Sequence, residues 1–200
     1  MMTPPRLAGL SKSLGLTGIL LAVSVALALA HDMFLKPERY FVAENAEVVV
    51  RLLNGTFTKS ENAVVRRRLR DLSVLSPTGR TAIDTTQWHD SGDTSWVALR
   101  TGAAGTYIVG TSTHASTIRL AAKDFNHYLA DDGIPDMLAE RKRTGTLDQP
   151  AHERYSKHVK ALIQVGTIPS PRVDAEFGYP AELVPLDNPY ASPKIGRAHV

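Results

Sequence analysis

The pattern of apolar positions in the first half of the chain is typical of short β-strands. The run AEVVVRLL at 46–53 is rich in β-branched residues and ends at the turn-prone pair Asn54-Gly55. Residues 76–79 place Ser, Pro and Gly where a type I turn favours them, so the chain from Thr81 onward is expected to pair back as a hairpin. The predicted strands are residues 46–53, 69–75, 96–99 and 105–110. Their spacing predicts a mainly β fold, an immunoglobulin-like β-sandwich.

Beyond Leu120 the apolar residues recur at helical spacing. A first amphipathic helix is predicted from Ala121 to a stop near Gly133. A second is predicted to start at Pro135, to carry Met137 and Leu138 inward and to end near Thr144-Gly145. A third is predicted over 151–164, with Tyr155, Val159 and Leu162 along one stripe. We expect two or three short helices that cap the sandwich, followed by a proline-rich extended segment after Gly166.

The N-terminus has the pattern of a cleavable secretory signal. Arg6 and Lys12 precede the uncharged stretch 14–30, which closes with the small-x-small sequence Ala28-Leu29-Ala30. The apolar run is short for a transmembrane span, so an uncleaved anchor is the weaker alternative. Twin arginines and a lipobox cysteine are both missing from the sequence. The prediction is a periplasmic or secreted protein that begins at His31 and has no membrane anchor after cleavage.

The last six residues, IGRAHV, are what ATC GGA AGA GCA CAC GTC encodes, a string common in sequencing-adapter DNA. We expect the natural chain to continue beyond this point, the alternative being a natural C-terminus. The predicted organisation is a signal peptide at 1–30, a β-sandwich domain at 31–185 with a helical segment at 121–165, a linker or the start of a truncated second domain at 186–194, and adapter-derived residues at 195–200.

Charge and cysteine content narrow the function classes. Removing Arg6 and Lys12 lowers the net charge from +3 to +1, and removing Arg197 as well brings it to zero. The basic residues 66–68 and Arg70 have no interleaved aromatic residues, so a solvated strand entry is predicted there rather than a nucleic-acid site. The chain contains no cysteine, so no disulfide framework holds an exported form together.

Histidines supply the strongest candidate chemistry. Cleavage after Ala30 would give His31 a free α-amine beside its imidazole, a chelating pair suited to copper or nickel. His114, just past a predicted strand, is the candidate for a third nitrogen, and Asp32 could hold the ring in position. The alternative is that these histidines make ordinary hydrogen bonds. His152 and His158 lie about 120° apart on the predicted third helix, so they are not expected to share a metal.

Catalysis has no motif to support it. The sequence contains no nucleophile elbow, phosphate-binding loop, HExxH motif or paired carboxylates. The acidic residues Asp131, Asp132 and Asp136 lack the spacing of an EF-hand loop. We therefore expect a binding protein rather than an enzyme.

Five segments in the same order carry a family resemblance. They are HDMFLKP at 31–37, GTY at 105–107, AKDFNHYL at 122–129, ERYSKHVKAL at 153–162 and ELVPLDNPY at 182–190. The chain resembles a bacterial family of exported proteins of unknown function, often labelled as the nickel-uptake substrate-specific component of a nickel or cobalt transport complex. The resemblance implies a second β-sandwich after the Asn-Pro segment and an inner-membrane metal transporter as partner. It adds weight to His31 as a ligand and implies no catalytic residues.

Two classes of function follow from the sequence. The first is an exported binding or accessory protein that captures nickel, cobalt or copper, or a complex of such a metal, for uptake. The second is a metal-free β-sandwich module that binds a protein or carbohydrate partner, with Trp88, Trp96 or Tyr190 as contacts. A third class, a copper monooxygenase with an N-terminal histidine brace, shares with this chain only the N-terminal histidine, His31, that is expected after cleavage.

Overall fold

The computed structural model of the protein describes residues 32–171 and 173–191. The chain divides into two units, Met1–Asp32 and Met33–Val200, and the first is described only at Asp32. The predicted signal peptide, His31 and the predicted adapter residues therefore lie outside the described residues.

Eleven strands and two α-helices are described. The strands are β1 (Asp32–Pro37), β2 (Phe41–Val42), β3 (Glu47–Gly55), β4 (Leu69–Ser76), β5 (Gly79–Ala82), β6 (Trp88–Ser91), β7 (Thr94–Arg100), β8 (Gly105–Thr113), β9 (Ser116–Leu120), β10 (Ala151–Tyr155) and β11 (His158–Val165). The helices are α1 (Ala122–Asp131) and α2 (Pro135–Arg143). Short 3₁₀ turns at Arg66–Arg68 and Thr85–Gln87 precede β4 and β6.

Nine of the described strands form a β-sandwich, as predicted, and β9 and β10 form a separate two-stranded sheet. The first sheet has the order β1-β3-β7-β6 and the second the order β2-β11-β8-β4-β5. Alternate residues of β3 and β7 point inward, and Val50, Leu52 and Val97 are completely buried. They meet Val109 and Val165 of the second sheet in one continuous core. This burial of β-branched and aliphatic side chains is the main source of stability in a chain without disulfides.

The predicted hairpin and the first two helices are confirmed. β4 pairs antiparallel with β5 from Ser76↔Gly79 to Ser73↔Ala82, around the turn at Pro77-Thr78. Helix α1 ends just before Gly133, which has a positive φ of 69°, and Pro135 occupies the first turn of α2. The inward orientation predicted for Met137 is wrong, because its side chain is 46% exposed.

The predicted third helix is wrong, because residues 151–164 form β10 and most of β11. β10 pairs antiparallel with β9, and β11 pairs antiparallel with β8 from His158↔Ser112 to Val165↔Gly105. β11 is covered on both faces, so its apolar residues form a nearly continuous run that helical spacing also fits. The angle of about 120° predicted between His152 and His158 on one helix is therefore also wrong, since the two residues lie on different strands.

The C-terminal segment covers the outer face of the second sheet, and we call its residues 173–191 the strap. Val173 and Phe177 are buried against Ile108 of β8. Asn188 is buried and donates to Thr106 Oγ1 at 2.7 Å, and the Tyr190 hydroxyl donates to the Leu162 carbonyl at 2.8 Å. The described strap contains no helix or strand, as its prolines predict.

Within residues 32–171 and 173–191, no helix has both the length and the apolar character needed to cross a membrane.

Candidate functional site

An open cavity lies at one end of the sandwich, where the end of β8 meets the turn between β10 and β11. The Thr113 amide donates to the Lys157 carbonyl at 2.9 Å, and the Lys157 amide donates to Thr113 Oγ1 at 2.9 Å. The cavity, here called the end pocket, has a volume of about 500 Å³. Its lining residues are Arg70, Thr113, His114, Ala115, Arg154, Tyr155, Ser156, His158 and Pro180.

The end pocket is basic. Its lining contains two arginines and two histidines but no Asp or Glu. Arg70 on β4 and Arg154 on β10 are exposed, and among the described residues neither guanidinium has a hydrogen-bond or carboxylate partner. By contrast, Arg51, Arg80 and Arg143 each pair with a carboxylate. No described carboxylate therefore pairs with either of the two pocket arginines.

His158 is held rigidly in the pocket wall. Its Nδ1 lies 2.9 Å from Ser112 Oγ and its Nε2 lies 2.9 Å from Ser156 Oγ. Burial lowers the pKa of His158, the Arg70 cation lowers it further, and Glu182 partly opposes them. The imidazole is therefore neutral at pH 7, with one ring nitrogen donating and the other accepting a hydrogen bond.

Tyr155 forms a second fixed wall. Its hydroxyl accepts a hydrogen bond from Arg68 Nη2 at 2.7 Å, and the Arg68 guanidinium carbon lies 5.5 Å from the ring centroid. Arg68 comes from the 3₁₀ turn before β4, so this contact joins distant parts of the chain. A ligand entering the end pocket would meet a ring whose position is already set.

His114 is the one predicted metal ligand that lies in this pocket. Its backbone amide donates to the Arg68 carbonyl at 2.9 Å, and its exposed imidazole has no hydrogen-bond or ion-pair partner among the described residues. Asp32 is exposed at the start of β1. Residues 32–171 and 173–191 contain no cluster of three His, Cys, Asp or Glu side chains that could hold a metal. His31 lies outside the described residues, so the predicted His31–His114 pair stays a prediction.

The strap contributes one residue to the lining of the end pocket and is anchored close to it by an ion pair. Pro180 lines the cavity, and two residues later Glu182 forms an ion pair with Lys160 of β11. Burial by itself raises the pKa of Glu182, but hydrogen bonds from Lys160 Nζ and from the amides of Phe177 and Tyr179 outweigh it and lower that pKa to about 2. The carboxylate is thus ionised over the physiological range and anchors the strap.

A second polar cluster lies beside this anchor. The Tyr179 hydroxyl donates to Asp71 Oδ2, and Arg80 Nη2 donates to the same oxygen at 2.9 Å. Burial, followed by the hydrogen bond to Asp71, raises the pKa of Tyr179. Asp71 is therefore occupied by the strap and by β5, although it follows Arg70 directly in the sequence.

The three predicted aromatic contacts do not form one site. Trp88 packs against the sandwich core, whereas Trp96 stacks with His89, their ring centroids being 5.7 Å apart. The Tyr190 ring meets Phe41 edge-on at 5.2 Å on the second sheet. The contact with a protein or carbohydrate partner predicted for one or other of them stays a prediction.

Sequence reasoning misses most of the end pocket. It assigns Arg70 to a solvated strand entry, and the predicted third helix places Arg154, Tyr155 and His158 in the wrong geometry. Ala161, Ile163 and Val165 alternate with Lys160 and Gln164, but the apolar Leu162 interrupts this alternation, so the pattern does not separate a strand from a helix.

The fold and the pocket define a β-sandwich domain with a helical insertion, a C-terminal strap and a basic cavity at one end. The chain belongs to the family described as Domain of unknown function (DUF4198), whose model matches residues 28–198. A search of curated proteins and a search of solved structures each found no match. The family description assigns no activity, metal or partner.

Proposed function

We propose that this protein is an exported binding module that captures a small ligand in the end pocket. The observation that carries the proposal is a cavity of about 500 Å³ in which two guanidinium groups have no partner among the described residues. Ligand sites have volumes of about 300 to 1,000 Å³ and present a few convergent polar groups. Hydrogen bonds hold the side chains of Tyr155 and His158 in place before a ligand binds, which reduces the side-chain conformational entropy that binding costs.

Binding fits this pocket better than catalysis does. Ser156 and His158 are within hydrogen-bond distance, as a nucleophile and its base would be. However, burial and Arg70 lower the pKa of His158, which weakens it as a base. Its other nitrogen contacts the neutral hydroxyl of Ser112 rather than a carboxylate that could stabilise an imidazolium. The pair is better suited to hold the pocket wall.

Filling the pocket tests this proposal without assuming the charge of the ligand. Ala115 is exposed and lines the cavity, so Ala115→Trp places an indole in the space and Ala115→Ser leaves it open. Calorimetry with citrate, glucose and Ni²⁺ should show that at least one probe binds the wild type with a Kd of about 1 mM or tighter. We expect Ala115→Trp to weaken that binding at least tenfold, on the order of 1.4 kcal/mol. Binding by none of the three, or equal binding by Ala115→Trp, would contradict the proposal.

Capture of a transition metal is a second candidate, favoured by the imidazole of His114, which has no partner among the described residues. Nickel, cobalt or copper would be held by the α-amine and imidazole of His31 together with His114, with Asp32 orienting a ring. An inner-membrane metal transporter would then be the partner. The Ni²⁺ arm should show tighter binding to a chain that starts at His31 than to one with an added residue before it. Equal affinities would rule out the amine chelate.

A further inference from the structure

We infer that the end pocket is a site for a small polycarboxylate whose oxyanion groups are bound by Arg70 and Arg154. This inference depends on the proposed function, because it names the ligand class of the same pocket. Both arginines line the cavity and come from different strands, β4 and β10. Because each guanidinium can bind one carboxylate through two parallel hydrogen bonds, two such groups match a ligand with at least two carboxylates.

The charge balance around the cavity supports an anion. The lining has no acidic residue, and three acidic residues that are close to lining residues in the sequence have partners of their own. Asp71 accepts hydrogen bonds from Arg80 and Tyr179, and Glu182 is paired with Lys160. Glu153, next to Arg154, accepts a hydrogen bond from the Tyr128 hydroxyl at 3.2 Å. The positive charges of Arg70 and Arg154 are therefore not neutralised by a described carboxylate in contact with them.

The remaining lining fits the carbon skeleton and hydroxyl groups of such a ligand. The Tyr155 ring and Pro180 offer apolar surface, while the exposed Ser156 brings a hydroxyl group. Since His158 is neutral, it adds no fixed charge at pH 7 and its ring contributes surface to the wall. A compact molecule with several carboxylates and a short carbon chain satisfies all of these groups.

Citrate is the probe that tests this inference. Calorimetry at pH 7 and about 50 mM salt would compare the wild type with Arg70→Gln, Arg154→Gln and the double variant. Because each single change removes charged hydrogen bonds to the ligand, it should weaken citrate binding at least tenfold. The double change should weaken it by more than a hundredfold, and added salt should weaken binding to the wild type. Both arginines are exposed, so the variants should keep the wild-type melting temperature.

Arg100→Gln is the matched control. The Arg100 side chain is also exposed, and its guanidinium has no hydrogen-bond or carboxylate partner among the described residues. Arg100 lies at the end of β7, where its backbone is opposite Glu47 at the start of β3. The end pocket lies near the other end of β3, where Lys157 Nζ donates to Asn54 Oδ1 at 3.1 Å. Arg100→Gln should change citrate affinity by less than about twofold, well below the tenfold effect of a lost charged hydrogen bond.

The outcomes separate this inference from the proposed function. Citrate affinity that is unchanged in the Arg70→Gln, Arg154→Gln double variant, or inorganic phosphate bound more tightly than citrate, overturns the polycarboxylate assignment. If glucose or Ni²⁺ binds and Ala115→Trp abolishes that binding, the proposed function stands even though the polycarboxylate assignment fails. If Ala115→Trp affects no probe, both fail.

Discussion

Replacing Glu182 with alanine should lower the free energy of unfolding by about 3 to 5 kcal/mol, the range found when one partner of a buried ion pair is removed. The side chains of Lys160 and Glu182 are only 8% and 9% exposed, so the variant would leave the Lys160 ammonium buried without a carboxylate, with the Ala175 carbonyl at 3.1 Å as a hydrogen-bond acceptor. Glu182 Oε2 and Oε1 also accept hydrogen bonds from the amides of Phe177 and Tyr179 at 2.9 and 2.8 Å. Urea unfolding followed by tryptophan fluorescence measures the loss.

A paired substitution is the control for this prediction. Lys160→Met with Glu182→Leu removes both charges, so it should lose less stability than Glu182→Ala, because no charge is left buried without its counterion. The rest of the loss should remain, because the amides of Phe177 and Tyr179 still lack their acceptor. A loss below about 1 kcal/mol in Glu182→Ala, the level of an exposed ion pair, would show that the pair is solvated.

The same carboxylate predicts acid sensitivity. The pKa of Glu182 is lowered from its ordinary value of 4.5 to about 2 in the folded protein. The unfolded chain therefore binds more protons between these two values, and the stability that Glu182 contributes, fully present above pH 4.5, is lost as the pH falls toward 2. Glu182→Gln should flatten the pH dependence of stability in this window.

Gly110→Ala should destabilise the protein by about 1 to 3 kcal/mol, the usual range for overpacking a filled interior. A Cβ on Gly110 would lie 2.5 Å from two ring carbons of Phe177 and 2.8 Å from the Tyr179 hydroxyl. Phe177 is buried, and the Arg80 guanidinium stacks over its ring at 4.1 Å from the centroid, so the ring has little room to move. Urea unfolding gives the free energy, and limited proteolysis would show whether the strap has become accessible.

A double-mutant cycle assigns this effect to the strap. In a Phe177→Ala background the Cβ introduced by Gly110→Ala no longer meets a ring, so the further loss that this substitution causes should fall by about 1 kcal/mol or more. An unchanged loss would mean that the Phe177 ring is not the group that opposes the added Cβ.

Local signals account for the parts of the fold that the sequence predicts. The β-branched run before Asn54 indicates β3, the turn at Ser76–Gly79 indicates the β4–β5 hairpin, and Pro135 marks the start of α2. Each of these signals depends only on neighbouring residues, which is why it can be read without the tertiary structure.

The strands β10 and β11 could not be predicted in the same way. Helical spacing fits Tyr155, Val159 and Leu162, but Val159 belongs to the sandwich core and Leu162 packs under the strap. A strand covered on two faces loses the alternation that distinguishes it from a buried helix. The strap that covers the outer face of β11 comes from distant residues such as Phe177. The apolar residues on that face of β11 can therefore be explained only from the tertiary structure.

The end pocket is beyond sequence reasoning for a related reason. Arg70 and Arg154 lie far apart in the chain and come together only because β10 leads into β11, which pairs with β8 beside β4. Their lack of a carboxylate partner among the described residues is a property of the folded surroundings, since Asp71 and Glu153 are adjacent in sequence yet bond elsewhere. Among the predicted site residues, His114 does lie just past the end of β8, as its position in the sequence predicts.

The pKa of His158, followed by NMR of its imidazole with and without saturating citrate, tests ligand capture in the end pocket most directly. His158 lies in the pocket wall, and burial and Arg70 lower its pKa in the free protein. An anion beside it would favour the protonated ring, so citrate should raise the pKa of His158 in the wild type and leave it unchanged in Ala115→Trp. If citrate binds while His158 titrates identically in both conditions, the ligand is held elsewhere and the account is contradicted.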